Sequence, residues 1–178
     1  MASLKDLNEV KASMEGLLNS RDMCDDHPIG LIAMNGHLKL MELLFHTDFD
    51  FHQRGFYNPF KVACEEGSTE IVKLMVNSSK EFGINLNIRD YDGRTGFMYA
   101  CEEGSTEIVS LMVNSSEEFG IDLNARNDDG KTGFILACRA GSTEIVNLIV
   151  NASKEFGIDL NARNLNGDTG FMYACLEG

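Results

Sequence analysis

The most constraining feature of this chain is a sequence repeat with a fixed period of 37 residues. Phenylalanine, cysteine and glycine each recur at this spacing in four consecutive segments. The recurring residues are Phe60, Phe97, Phe134 and Phe171; Cys64, Cys101, Cys138 and Cys175; and Gly67, Gly104, Gly141 and Gly178. A period of about 20–50 residues is typical of stacked repeats, in which each unit buries its apolar face only against its neighbours. The period therefore predicts a stack of units used as a binding surface.

One repeat, residues 88–124, predicts two helices followed by an extended hairpin. Thr95 has the position and the side chain of an N-cap for the first helix. Gly120 is expected to end the second helix as its C-cap. Asp129 and Gly130 then supply a turn before the next unit begins.

Three segments of this repeat carry a recognisable motif. They read Gly93-Arg-Thr-Gly-Phe-Met-Tyr-Ala-Cys101, Gly104-Ser-Thr-Glu-Ile-Val109 and Asp122-Leu-Asn-Ala125. The motif resembles that of the ankyrin repeat, Gly-x-Thr-Pro-Leu-His-x-Ala-Ala, then Gly-His-x-Glu-Ile-Val, then Asp-Val-Asn-Ala. Each unit is about four residues longer than the roughly 33 of the ankyrin repeat. The extra length falls around residues 114–118, so we expect a longer second helix.

Two departures from the ankyrin motif recur in every later unit. Glycine replaces the proline that opens the first helix, and an apolar side chain replaces the histidine. These positions are Gly96, Gly133 and Gly170 for the proline, and Met98, Ile135 and Met172 for the histidine. We expect a lower stability for each unit than in repeats that keep the hydrogen-bonding histidine.

The resemblance implies an all-α repeat solenoid, an ankyrin-repeat stack of helix-turn-helix units joined by hairpin loops. It divides the chain into an N-terminal capping helix, residues 1–26, and an ankyrin repeat domain, residues 27–178, with four repeats and a partial fifth. The fifth unit stops at Gly178, before its second helix. We expect the chain to be a fragment of a longer array, the alternative being an end that pairs with another molecule.

Ankyrin proteins usually bind partners through hairpin tips and the exposed side of the first helices, which together form a concave face. The resemblance therefore implies a tyrosine-rich, acidic surface for a protein partner. Its hairpin positions are Tyr57, Tyr91, Asp92, Arg94, Asp128, Asp129 and Lys131, and its first-helix positions are Val62, Glu65, Glu66, Tyr99, Glu102, Glu103, Leu136, Arg139 and Tyr173. An alternative interpretation is that Tyr99 and Tyr173 share a repeat position and pack on neighbouring units.

The charge of the chain narrows the class of partner. The net charge is −13 at pH 7, which disfavours nucleic acid and anionic membranes and fits either a basic protein partner or simple solubility. We expect a monomer, with end-to-end association through the open C-terminal repeat as the alternative.

The sequence predicts no catalytic, metal-binding or cofactor-binding residues. The four histidines lie in the first third of the chain, and none has a nucleophile at a recognisable motif spacing; they are His27, His37, His46 and His52. We therefore expect a protein that is not an enzyme.

The repeated cysteines predict a row of buried, unpaired thiols. Packed helices lie about 8–10 Å apart, whereas a disulfide needs Cα atoms within about 7 Å. Cys175 is expected to be the most accessible of the row, and Cys24 has no assigned role. Together with the absence of a secretory signal, the thiols indicate an intracellular location, cytoplasmic with the nucleus as the alternative.

Three functions stay open at this point. The first is a protein–protein interaction module that uses the concave face. The second is a regulatory inhibitor that occludes a kinase or a transcription factor. The third is the targeting segment of a larger enzyme or receptor.

Overall fold

The computed structural model describes residue 32, residues 37–46 and residues 58–177. The predicted N-terminal capping helix, Cys24 and Tyr57 lie outside these residues. The described helices are α1 (Leu38–Phe45), α2 (Pro59–Glu65), α3 (Thr69–Phe82), α4 (Gly96–Glu102), α5 (Thr106–Asn114), α6 (Ser116–Phe119), α7 (Gly133–Arg139), α8 (Thr143–Ala152) and α9 (Gly170–Glu177).

The first helix of each unit is short and begins at a residue that caps it. Thr95 accepts a hydrogen bond from the backbone N–H of Met98 at 3.4 Å, and Thr132 accepts one from Ile135 at 3.3 Å. In the first of these units Asn58 is the cap, and proline occupies the first turn of α2, where a missing N–H costs nothing. The predicted cap at Thr95 is confirmed.

The inserted residues lengthen the second helix in two units, as predicted. It runs for 14 residues in α3, and in the next unit it continues as α5 and α6 with an interruption at Ser115. In the unit after that, α8 ends at Ala152, before the residues equivalent to α6. Gly120 ends it with φ of 67°, in the left-handed region that glycine adopts without steric cost. The predicted C-cap is confirmed.

The helices form two parallel rows, and the core lies between them. The first helices α2, α4, α7 and α9 pack in sequence, and so do the second helices α3, α5 and α8. Within each unit the two helices also pack on each other, as α4 does on α5. Among the described residues the only β-type pairing is a single bridge between Arg163 and Thr169. The predicted all-α repeat solenoid is confirmed.

Neighbouring first helices meet at a phenylalanine and a glycine. A Cβ atom on Gly133 would lie 2.6 Å from Cε1 of Phe97, closer than real carbon contacts allow. The same contact would be 2.7 Å between Gly170 and Phe134. The glycine that replaces the motif's proline has no side chain, and the phenylalanine of the preceding unit fills the space that a side chain would need.

The replacement of the motif's histidine also has a packing reason. The side chains of Met98 and Ile135 have no exposed surface, and they fill the interior with apolar contact in place of a hydrogen bond. The lower stability expected from losing the histidine stays a prediction.

In two of the loops, an asparagine side chain hydrogen-bonds to the backbone of the next unit. Asn87 donates to the carbonyl of Gly120 at 2.7 Å and accepts from the backbone N–H of Asp122 at 2.8 Å. Asn124 makes the same pair one repeat further along, at 2.9 and 2.8 Å. These bonds satisfy backbone groups that no helix pairs.

The cysteine row lies in the core, as predicted. Cys64, Cys101 and Cys138 are buried and free, whereas Cys175 is free and exposed. Burial raises the pKa of the Cys101 thiol well above its usual value and raises that of Cys138 to about 11. The buried thiols are therefore protonated, and unreactive, near neutral pH.

The asparagine contacts generate a prediction about stability. Asn124→Ala should lower the free energy of unfolding by about 1–2 kcal/mol, because it removes two hydrogen bonds between units. Asn161→Ala is the matched control, since Asn161 has the same repeat position and its side chain bonds no described residue; it should cost less than about 0.5 kcal/mol. Urea unfolding measures both changes. Equal losses in the free energy of unfolding would contradict a stabilising role for the hydrogen bonds of Asn124.

The thiols generate a second prediction. Among the four repeated cysteines, alkylation of the native protein by iodoacetamide, followed by peptide mass spectrometry, should label Cys175 first and Cys101 last, because only the former is exposed. Labelling in denaturant serves as the control and should remove the difference. Fast labelling of Cys101 in the native state would be incompatible with the stacked core.

Candidate functional site

The candidate site is the side of the stack that carries the hairpin tips. We call it the front surface and define it as residues 89–94, 126–131 and 163–168 together with the last turns of the first helices. Those last turns contain Glu65, Glu66, Glu102, Glu103 and Arg139.

Backbone hydrogen bonds join the hairpin tips into one continuous edge. The N–H of Asp128 donates to the carbonyl of Asp92 at 3.0 Å, and the N–H of Leu165 donates to the carbonyl of Asp129 at 2.9 Å. Arg89 adds a side-chain bond to the carbonyl of Arg126 at 2.6 Å. The tips are therefore held in register along the stack.

The most exposed side chains of this edge are large or acidic. Tyr91 is 72% exposed, and the carboxylates Asp92, Asp128 and Asp129 are exposed beside it. Leu165, 77% exposed, was not predicted as a site residue. The repeat period could have identified it, because it has the same position in its hairpin as Tyr91 and Asp128.

Three predicted surface residues are buried instead. Val62, Tyr99 and Leu136 are between 1% and 7% exposed, which corrects their placement on an exposed face. All three lie at the same repeat position in a first helix, 37 residues apart. The alternative interpretation, in which Tyr99 packs on its neighbours, describes its position correctly.

Tyr99 links its helix to its hairpin. Its hydroxyl donates to Asp90 at 2.7 Å, and its ring lies 4.5 Å from the ammonium of Lys61 and 4.1 Å from the guanidinium of Arg94. Burial, assisted by the hydrogen bond to Asp90, raises the pKa of Tyr99 well above its usual value. The phenol therefore stays protonated and acts as a hydrogen-bond donor at neutral pH.

Tyr173 makes a similar link in the last described helix, α9. Its hydroxyl accepts from Asn164 at 3.0 Å and donates to Asp168 at 3.4 Å. The side chain is half-buried. Tyr57, the fourth tyrosine, lies outside the described residues.

Ion pairs neutralise some of the predicted acidic residues. Glu102 pairs with both Arg94 and Arg139, and Glu65 pairs with Lys61 at 2.7 Å.

Lys131 pairs with Asp129 at 2.9 Å. Its hydrogen bond lowers the pKa of that carboxyl group below the usual value.

Three exposed carboxylates of the front surface form no ion pair within residues 58–177. They are those of Glu66, Asp92 and Glu103. Glu66 and Glu103 have equivalent positions, each as the C-cap of a first helix. Their unpaired charges add negative potential to this surface.

A shallow polar cavity of about 430 Å³ lies between the first two described hairpins. Its lining includes Asn87, Arg89, Tyr91 and Asp128. Across the part of the chain that the structure describes, no group of three or more histidine, cysteine or acidic side chains could hold a metal ion. None of the described helices has the length and apolar character to cross a membrane.

Comparison with known proteins agrees with this geometry. A family profile described as ankyrin repeats, in three copies, matches residues 29–127, more than half of the chain. No curated protein sequence matches the chain. The same helix pairs continue beyond residue 127 as α7, α8 and α9. Ankyrin repeats generally act as protein–protein interaction modules and are typically not enzymes. The chain belongs to the ankyrin-repeat family.

Proposed function

We propose that this protein binds a basic partner protein through its front surface. The observation that carries the proposal is that this surface presents the exposed aromatic side chain of Tyr91 together with exposed carboxylates that form no ion pair among residues 58–177, those of Asp92, Glu66 and Glu103. Tyrosine supplies a large contact area with little loss of side-chain entropy, which is why it is enriched in interfaces.

The rigidity of the front surface supports a role in binding. Its tips are joined by backbone hydrogen bonds, and Tyr99 holds one hairpin against its helix. A surface already ordered before contact loses less conformational entropy on binding. Tyr99 therefore supports the hairpin from within, and the contact with the partner is made by exposed side chains.

The charge of the whole chain supports a basic partner in particular. A net charge of −13 accelerates the encounter with a positively charged protein, and salt weakens that effect. We further propose that the protein is an intracellular monomer, since three buried free thiols fit a reducing compartment.

The test compares a front-surface variant with a matched variant of the second helices. The front variant carries Tyr91→Ala, Asp92→Asn and Glu103→Gln; the control carries Glu107→Gln and Glu117→Gln, two exposed carboxylates that pair with no described residue. Wild type and both variants are used to capture proteins from cell extract, and each captured protein is then purified and titrated. We expect a partner that loses at least about tenfold in affinity for the front variant, because aromatic anchors dominate interfaces.

The control defines what would contradict the proposal. It removes the same number of charges, so it should reduce the association rate only slightly. A partner that responds to the second-helix variant and tolerates the front variant would place the binding surface on the other side of the stack.

The variant Tyr99→Phe tests whether Tyr99 holds the hairpin in place or contacts the partner protein. The change removes the hydrogen bond to Asp90 and should lower the free energy of unfolding by about 1 kcal/mol. Affinity for the partner, measured well below the melting temperature, should stay within about twofold of wild type. A large loss of affinity with unchanged stability would make Tyr99 a contact residue.

A further inference from the structure

The outer face of α9 carries apolar side chains that the described residues leave uncovered. Phe171 and Met172 are 47% and 50% exposed, and Cys175 is exposed beside them. Val150 in α8 is 37% exposed, whereas Val113, at the same position one unit earlier, is 1% exposed, so Val150 is uncovered in the same way. Large exposed apolar patches mark interaction sites more often than chance.

The chain itself shows how an identical face is covered. Residues 96–101 and residues 170–175 share the sequence Gly-Phe-Met-Tyr-Ala-Cys. In the first copy Phe97 and Cys101 are 2% and 0% exposed, because α7 packs on α4. The outer face of α9 is the same surface without that neighbour.

The covered copy also shows which residue meets the phenylalanine. Gly133 opens α7 and lies against the ring of Phe97 and the sulfur of Cys101. A Cβ atom there would be 2.6 Å from the ring and 3.1 Å from the sulfur. A proline, with a Cβ and two further ring carbons, would overlap the phenylalanine unless one of the helices moved.

The other two interfaces between first helices repeat this fit. A Cβ atom on Gly96 would be 2.9 Å from Phe60, and one on Gly170 would be 2.7 Å from Phe134. Each phenylalanine in these interfaces is thus followed, one unit later, by a glycine. Phe171 belongs to the same series and has no glycine against it among the described residues.

We propose that the outer face of α9 binds a helical repeat whose first helix opens with Thr-Gly, and that it excludes a repeat that opens with Thr-Pro. Val150, Phe171, Met172 and Cys175 form the binding face. It continues the established stack of α2, α4, α7 and α9, and the glycine of the incoming repeat sits against Phe171. This inference is independent of the proposed function of the front surface.

A second copy of the chain fits this face less well. Two outer faces of α9 meeting each other would bring two copies of Phe171 together with no glycine between them. The described first helix of a second copy, α2, opens with Pro59, which is itself buried within the stack. Neither arrangement supplies the glycine that the other interfaces use.

The experiment extends the full chain after Gly178 with a copy of residues 142–178, which provides a second helix, a hairpin and a new first helix as the probe. One probe keeps the copied Thr-Gly sequence, and the other carries Gly170→Pro in the copied segment only. Each probe is attached to the wild-type chain and to a Phe171→Leu chain. The readouts are the alkylation rate of Cys175 and the melting temperature.

The glycine probe should slow alkylation of Cys175 by about tenfold or more and raise the melting temperature by more than about 4 °C. The proline probe should leave both values close to those of the unextended chain, and Phe171→Leu should restore protection by the proline probe, because leucine leaves room for the ring. Equal protection by both probes on the wild-type chain, or no protection by either, would overturn the proposal. So would a stable dimer of the unextended chain with Cys175 protected, which would make a second copy the occupant.

Discussion

Each unit of this stack meets the next where a phenylalanine ring fills the space above a glycine. A side chain on Gly133, even a methyl group, would collide with Phe97, and the same holds at the two equivalent interfaces. Close packing of this kind sets how near the first helices approach, because protein interiors leave almost no free volume. The approach of the helices in turn decides whether the buried cysteines, Met98 and Ile135 are sealed from water.

The front surface depends on the same spacing. The backbone bond from Asp128 to Asp92 forms only if neighbouring hairpins are at the right separation, and that separation is set by the helices beneath them. Asn87 and Asn124 fix the spacing a second time, on the loops that follow the second helices. An ordered front surface is therefore a consequence of helix packing, and binding through it needs little further ordering.

Much of the fold could be predicted from the sequence, because the 37-residue period exposes the same signals several times. The caps at Thr95 and Gly120, the lengthened second helix and the buried cysteine row all follow from local rules. Exposure of the site residues could not be predicted equally well. The resemblance to ankyrin repeats places Tyr99 and Leu136 on the surface, yet both are buried, and Tyr99 is bonded to its hairpin through Asp90.

The glycines show a second limit of sequence reasoning. In the ankyrin motif the position of Gly133 is a proline. Glycine is needed there because of Phe97, which precedes it by 36 positions and contacts it only after the units have stacked. No rule that considers one unit at a time can connect the two residues.

A double-mutant cycle on Phe97 and Gly133 tests this account most directly. Alanine favours helices over glycine by about 0.5–1 kcal/mol, so Gly133→Ala would be stabilising if the position were uncrowded. The account predicts instead that Gly133→Ala destabilises the protein by about 1–3 kcal/mol through overpacking. In a Phe97→Leu background the same change should cost at least about 1 kcal/mol less, as expected for residues in contact. Additive effects in urea unfolding, or stabilisation by Gly133→Ala in the wild-type background, would contradict the central role of this contact.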